Sequence, residues 1–143
     1  KVYISSENEL PSELLKYKID ISPEKMHDVL AHASVYVGEG ASMASEAACL
    51  GVPSVYVNSL NVGYIKEVEK YGLVINLRNA EDLPRVLERL INDSITKDKV
   101  KDKLRSFLKD KIDVSAFLVW FIEYFPESIR IMKENPEFQE RFK

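Results

Sequence analysis

The chain of 143 residues contains a single cysteine, Cys49, only five glycines and no long apolar run. One cysteine excludes an internal disulfide framework and hence a stapled secreted scaffold. No apolar segment approaches the roughly 18 residues that a membrane-spanning helix needs. No charged segment followed by an apolar one opens the chain as it would in a secretion signal. Together these absences predict a cytoplasmic protein.

The charge balance also lacks the basic excess that sequence-independent nucleic-acid binding requires, since the net charge is −3. With 45% hydrophobic and 30% charged residues, the chain can bury a core and falls outside the collagen-like and disordered classes. Its positive charges are concentrated between Lys97 and Lys111. That pattern is typical of a solvated helix face, with a phosphate-binding or membrane-surface patch as the alternative.

Short β-branched and aromatic segments alternate with helical segments over the first two-thirds of the chain. Runs that are apolar throughout, such as residues 55–57, are typical of strands buried on both faces of a parallel sheet. Parallel strands need crossover helices between them, which fits the alternation. The predicted strands are Val2–Ser5, Tyr17–Ile21, Val35–Gly38, Ser54–Val57 and Leu73–Leu77.

Helix signals lie between and after these strands. Ser22 and Pro23 are typical of an N-cap and a first helical residue, and Gly51 and Gly72 of helix ends. The first predicted helix begins at Ser22. The other predicted helices cover residues 42–50, 62–71, 80–91, 96–108 and 113–124. The sequence therefore predicts a Rossmann-like, three-layer α/β domain of about five parallel strands over residues 1–93, with a C-terminal helical extension over residues 94–143.

The last predicted helix, capped by Asp113, is apolar nearly all round over residues 117–125. A helix of this kind must be buried on several sides. Two interpretations stay open at this point. The helix either lies inside the core of the chain, or it contacts a partner, such as a second copy in a dimer.

Small residues join the third predicted strand to the following helix. Gly40 and Ala41 let a ligand approach the backbone closely, and the free N–H groups of a helix N-terminus bind anions. Ser42 adds a hydroxyl group. Glu46 lies one turn further along the same helix face, where its carboxylate would repel a phosphate but accept hydrogen bonds from a ribose. The segment indicates a nucleotide site at the carboxyl ends of the strands, with an ordinary packed turn as the alternative.

The runs 40–42, 45–47 and 50–53 (Gly-Ala-Ser, Ser-Glu-Ala and Leu-Gly-Val-Pro) resemble the C-terminal domain of two-domain, GT-B-type glycosyltransferases. The same runs are similar to the non-hydrolysing sugar-nucleotide 2-epimerases. Residues 25–46 also resemble an uncharacterised prokaryotic family of predicted glycosyltransferases. The resemblance covers about residues 1–92. It implies that the substrate is a nucleotide-sugar, for example a UDP-sugar, and that no metal or other cofactor takes part.

The resemblance also assigns roles to particular positions. Residues 40–43 would contact the diphosphate, and Glu46 would bind the ribose hydroxyls. The base would lie against the turn at residues 22–23, and the sugar against the loop at residues 58–64. The site residues expected on this basis are Ser22, Pro23, Gly40, Ala41, Ser42, Met43, Glu46, Asn61 and Tyr64.

In proteins of the resembled class the donor site lies in a cleft between two domains, and the other domain supplies the acceptor. We therefore expect this chain to be one half of a larger protein, without its first β-α unit and N-terminal domain, and to be inactive alone. A peripheral membrane contact of the parent protein is left open. One alternative function is the C-terminal half of a UDP-sugar 2-epimerase. Another is a non-enzymatic, Rossmann-like interaction module that uses the apolar helix.

Overall fold

A three-stranded parallel sheet organises the computed structural model, which describes residues 1–92 and 97–143. The strands are β1 (Tyr36–Gly38), β2 (Ser54–Val57) and β3 (Val74–Leu77), in the order β1-β2-β3. Residues 37, 55 and 75 lie side by side across the sheet. This arrangement confirms the predicted α/β class and the last three predicted strands.

Helices connect and follow these strands. The first two crossovers each contain one helix, α2 between β1 and β2 and α3 between β2 and β3, as parallel pairing requires. The helices are α1 (Met26–His32), α2 (Ala41–Cys49), α3 (Gly63–Lys70), α4 (Leu83–Asn92), α5 (Lys97–Lys109), α6 (Val114–Glu123) and α7 (Glu127–Glu134), with 3₁₀ segments at Ser12–Tyr17, Pro23–Lys25 and Pro136–Phe142.

Apolar residues of the strands pack on both faces of the sheet because strand side chains alternate in direction. On one face, Tyr56 and Val74 pack with residues of α2, α3 and α5. On the other face, Val55 packs with Val86 and Leu90 of α4. The carboxyl ends of all three strands therefore lie at one edge of a core that is covered by helices on both sides.

The prediction of about five strands is wrong in the described part of the chain. Residues 2–5 and 17–21 form only one isolated parallel bridge, between Ile4 and Lys18. Val2 and Tyr3 are exposed, so this pair lacks the burial on both faces that stabilises parallel strands. Because the apolar side chains beside this bridge are exposed to solvent, the bridge does not extend into a sheet.

The end signals of the helices are confirmed in part. Gly51 and Gly72 follow α2 and α3 with φ of 78° and 66°, the left-handed region that favours glycine after a helix. Ser22 makes no side-chain capping bond, and the Pro23 turn is a 3₁₀ segment, so the first α-helix begins only at Met26. The predicted boundary at residues 93 and 94 and the predicted helix start at Thr96 lie outside the described residues.

Helix α5 docks on the sheet region, which we define as residues 26–92. Val100 is buried in the same apolar cluster as Ile65. The Lys103 ammonium donates to the carbonyl of Gly72 over 3.1 Å, and the Lys111 ammonium lies 2.6 Å from the Glu67 carboxylate. The basic segment is therefore not only a solvated face, because Lys111 attaches it to α3 and Lys103 to the turn that follows α3.

Residues 113–143 form a second unit, which we call the aromatic hairpin. The Asp113 side chain accepts a hydrogen bond from the Ala116 N–H over 2.9 Å, as its predicted capping role requires. Trp120 stacks on Phe138 with ring centroids 4.7 Å apart, and Phe117 packs edge-on against Phe142. No residue of α6 is buried, so the helix does not lie inside the core of the chain, as the first of the two interpretations would require.

The outer face of α6 carries exposed apolar side chains. Ile122 is 71% exposed, and Val114, Leu118 and Val119 are also exposed. These positions follow helical spacing and form one stripe. Among the described residues, no helix has both the length and the apolar composition to cross a membrane.

Candidate functional site

The loop Gly38–Gly40 carries the chain from the end of β1 into α2 at the carboxyl edge of the sheet. The first backbone bond of α2 runs from the Ala44 N–H to the Gly40 carbonyl over 3.0 Å. The N–H groups of Ala41, Ser42 and Met43 therefore have no acceptor within the helix. An added side-chain carbon at Gly40 would meet no atom within 4 Å, so the space beside the residue that precedes these donors is open.

Gly38 is the last residue of β1 and lies two positions before Gly40. A Cβ at position 38 would collide with the hydroxyl and ring of Tyr36, so only glycine lets the two residues lie this close. The Tyr36 ring packs against the apolar clusters beneath α2. Burial, and to a smaller extent the Glu46 charge, raises the pKa of the Tyr36 hydroxyl. Tyr36 is therefore a neutral, packed floor of the site.

Glu46 lies one turn after Ser42, as the helical spacing predicts. Its Oε2 atom lies 3.1 Å from Nε2 of His27, which belongs to α1. Both side chains are well exposed, at 47% for Glu46 and 65% for His27. The contact joins α1 to α2 at the mouth of the site and leaves the second carboxylate oxygen of Glu46 for a ligand.

A second pair of side chains meets one turn nearer the start of α2. The hydroxyl of Tyr64, in the first turn of α3, lies 3.5 Å from the hydroxyl of Ser42. Asn58 fixes the loop between them: its side-chain amide donates to the Glu39 carbonyl over 3.3 Å, and its Oδ1 accepts from the Leu60 N–H. The loops that follow β1 and β2 are thereby held together.

The predicted site residues fall into two groups. Residues 40–43, Glu46 and Tyr64 come together around the N-terminus of α2. Ser22 and Pro23 lie exposed in the 3₁₀ turn before α1, and no described contact joins them to α2. Asn61 lies on the loop after β2 but lines a separate cleft on the far side of α3.

Three residues near the site are not among the site residues expected from the sequence, although Asn58 belongs to the loop at residues 58–64 that is expected to contact the sugar. His27 reaches Glu46 from 19 positions away, Tyr36 packs under the helix, and Asn58 bridges two loops. Only Asn58 has a local signal, because an asparagine directly after a strand is typical of a side-chain-stabilised turn. The other two contacts depend on how the elements pack.

The position of Cys49 at the end of α2 predicts a small residue buried in the core, but the structure shows that Cys49 is exposed. Desolvation and the Glu46 charge raise the pKa of its thiol, which opposes formation of a nucleophilic thiolate. Within residues 1–92 and 97–143, no group of three or more His, Cys, Asp or Glu side chains could hold a metal ion. The α2 N-terminus offers hydrogen bonding from backbone and hydroxyl groups beside one carboxylate.

A polar cleft of about 410 Å³ lies next to this site, between α3 and the end of β3. It shares the loop after β2 with the α2 site but opens on the opposite side of α3 from Tyr64. The residues that line it include Ser59, Asn61, Lys66, Glu69, Asn76 and Arg78.

Comparison with known proteins gives no relative on which to base an assignment: no protein-family model, curated protein or solved structure matches the chain.

Proposed function

We propose that the chain is the nucleotide-sugar-binding half of a GT-B-type glycosyltransferase, with a Rossmann-like arrangement of its sheet and helices. The observation that carries the proposal is the α2 N-terminus. Three N–H groups, at residues 41–43, have no acceptor within the part of the chain that the structure describes, and they lie at the carboxyl edge of a parallel sheet beside an accessible carboxylate. In open α/β sheets, this edge is where ligands bind.

In this proposal the diphosphate of the donor lies at the N-terminus of α2. The N–H groups and the helix dipole favour negative charge there. The Ser42 and Tyr64 hydroxyls, 3.5 Å apart, can both donate to phosphate oxygens. Because Gly40 leaves open space, the phosphate can approach the backbone itself.

The Glu46 carboxylate then binds the ribose. It lies a turn further along α2, away from the diphosphate, and accepts hydrogen bonds from the two ribose hydroxyls. His27 supports this by holding one carboxylate oxygen at 3.1 Å and fixing the direction of the other. The base would extend toward α1, and transfer itself would require the second domain that this class uses for the acceptor.

An interaction module is a second candidate, and one observation favours it. The stripe of exposed apolar side chains on α6 covers Val114, Leu118 and Ile122, which a chain working alone would leave in water. A UDP-sugar 2-epimerase would use the same nucleotide site, and no contact in the described residues favours it over the transferase.

Nucleotide binding tests the proposal directly. The full chain is titrated with UDP, GDP and CDP while the amide resonances of residues 41–43 are followed by NMR. We expect saturable shifts with one nucleotide at millimolar concentration or below. Glu46→Ala should weaken this binding about tenfold or more, because it removes charge-assisted bonds to the ribose.

Glu88→Ala is the matched control, since Glu88 is an exposed glutamate on α4, away from the carboxyl edge. It should leave the nucleotide affinity unchanged. If no nucleotide shifts residues 41–43, or if both glutamate variants weaken binding equally, the donor-site proposal is wrong.

A further inference from the structure

The polar cleft between α3 and β3 has the composition of a binding site of its own. Lys66 and Arg78 contribute two positive charges, and Glu69 contributes one negative charge. Within residues 1–92 and 97–143, neither the Lys66 ammonium nor the Arg78 guanidinium forms an ion pair. The cleft therefore carries a net positive charge that its own walls do not neutralise.

Glu69, the acidic residue that lines the cleft, is held in place by a hydrogen bond from the backbone. Glu69 Oε1 accepts a hydrogen bond from the N–H of Asn76 over 3.4 Å. Because β3 is an outer strand, that N–H faces away from β2 and would otherwise be open to solvent. This bond holds Glu69 against the strand, and its second oxygen remains able to accept a hydroxyl.

Side-chain donors converge on the same space from three elements. Ser59 and Asn61 come from the loop after β2, Lys66 from α3 and Arg78 from the end of β3. None of these four side chains has a hydrogen-bond partner among the described residues. Asn76 also lines the cleft, and its Oδ1 atom is buried and has no partner in residues 1–92 and 97–143. A buried, unpaired amide oxygen is unfavourable unless a donor reaches it.

Taken together, these groups require a ligand with both acceptors and donors. An oxyanion satisfies the convergent donors and the excess positive charge, and the arginine fork suits the planar or tetrahedral array of its oxygens. The Glu69 carboxylate would repel the oxyanion itself but would accept a hydroxyl. We propose that this cleft binds a small phosphate or carboxylate compound that also carries hydroxyl groups, as a sugar phosphate or a sugar acid does.

The proposal does not rest on nucleotide binding at α2, because the two sites share no proposed contact residue. Tyr64 and Lys66 are two positions apart on α3 and therefore lie on opposite sides of the helix. One site can be lost without the other.

NMR titration of the full chain tests the cleft, with the amide signals of residues 59–61 and 76–78 as the readout. The probes are glucose 1-phosphate, glucuronate, inorganic phosphate and glucose. We expect saturable shifts with the first two, weaker ones with inorganic phosphate and none with glucose. Comparing glucose 1-phosphate with glucuronate distinguishes a phosphate site from a carboxylate site. No saturable shift with either compound, or equal shifts with glucose, would overturn the proposal.

Two variants assign the effect to the cleft. Arg78→Gln and Lys66→Gln should each weaken binding about tenfold, since each removes one charge-assisted contact. Arg89→Gln makes the same change of charge at an exposed site on α4 and should not alter the affinity. Glu46→Ala should also leave it unchanged. If Arg89→Gln weakens binding as much as Arg78→Gln, the shifts report net charge only and the cleft is not a site.

Discussion

In the sheet region, Ala44, Val55 and Ile65 have no accessible surface, whereas α6 of the aromatic hairpin buries none of its ten residues. A lack of apolar side chains does not explain the difference, since the sequence of α6 is more apolar than those of α2, α3 and α4. The two regions differ in the surfaces available to cover those side chains. A parallel sheet offers two faces to its helices, but the hairpin offers α6 one partner layer.

This comparison shows that hydrophobicity alone does not decide burial. The aromatic side chains of α6 point toward α7 and the final 3₁₀ segment, where Ser128 is fully buried and donates to the Phe121 carbonyl over 2.6 Å. The aliphatic side chains of the same helix point outward. A helix that is apolar all round therefore has one stable face and one face that remains available to a partner.

The largest expected effect comes from truncating the same residue type in the two regions. Ile65→Ala opens a cavity in a closed core and should lower the free energy of unfolding by about 2–5 kcal/mol. Ile122→Ala removes a side chain that is 71% exposed and should change it by less than about 0.5 kcal/mol. Urea unfolding of both variants measures the difference. A large loss for Ile122→Ala would mean that the outer face of α6 is covered in solution.

Much of the sheet region could be predicted from local sequence. The apolar runs at residues 55–57 and 73–75 indicate strands β2 and β3, and Gly51 and Gly72 end the helices before them. The first two predicted strands have similar composition but lack a layer to pack against, which no local pattern reveals. Helix α7 was missed because its sequence, Glu127–Glu134, is rich in charge and its burial depends on the aromatic partners of α6.

In the candidate site, too, some contacts could be predicted from the sequence and others could not. Ser42 and Glu46 are one turn apart on one helix, so their common face follows from helical spacing. The contact of Glu46 with His27 and the packing of Tyr36 under Gly38 join separate elements. These contacts depend on how the helices and strands are arranged in space, which the periodicity of the sequence does not predict.

A smaller effect is expected at the start of the aromatic hairpin. Asp113→Ala removes the acceptor of the Ala116 N–H and should cost about 1 kcal/mol of hairpin stability. Hydrogen exchange should accelerate in the first turn of α6 and remain unchanged in β2. Asp113→Asn keeps an acceptor oxygen and should restore most of the protection. Equal acceleration in β2 would show that the two regions unfold as one unit.

The smallest effect concerns the partly buried ion pair that joins the sheet region to the chain after α5. The hydrogen bond from Lys111, followed by that from Lys70, lowers the pKa of Glu67 from 4.5 to about 2. A carboxylate with a depressed pKa stabilises the folded state above its unfolded pKa, and the contribution is lost as the pH falls toward the folded value. Glu67→Gln should therefore lower the urea midpoint at pH 7, and the difference from the unsubstituted chain should disappear between about pH 4.5 and pH 2.

Glu127→Gln is the matched variant in the aromatic hairpin. Arg130 lowers the pKa of Glu127, but the two residues are three positions apart on one helix, so their pair restrains little of the fold. Glu67 and Lys111 are 44 positions apart, and their pair closes a long segment of chain. The pH-dependent shift of the urea midpoint should accordingly be larger for Glu67→Gln than for Glu127→Gln, although solvent keeps both small. Equal shifts would mean that the Glu67–Lys111 pair contributes no more than a local surface contact and that the other contacts of α5, the packing of Val100 and the Lys103 hydrogen bond to Gly72, hold it on the sheet region.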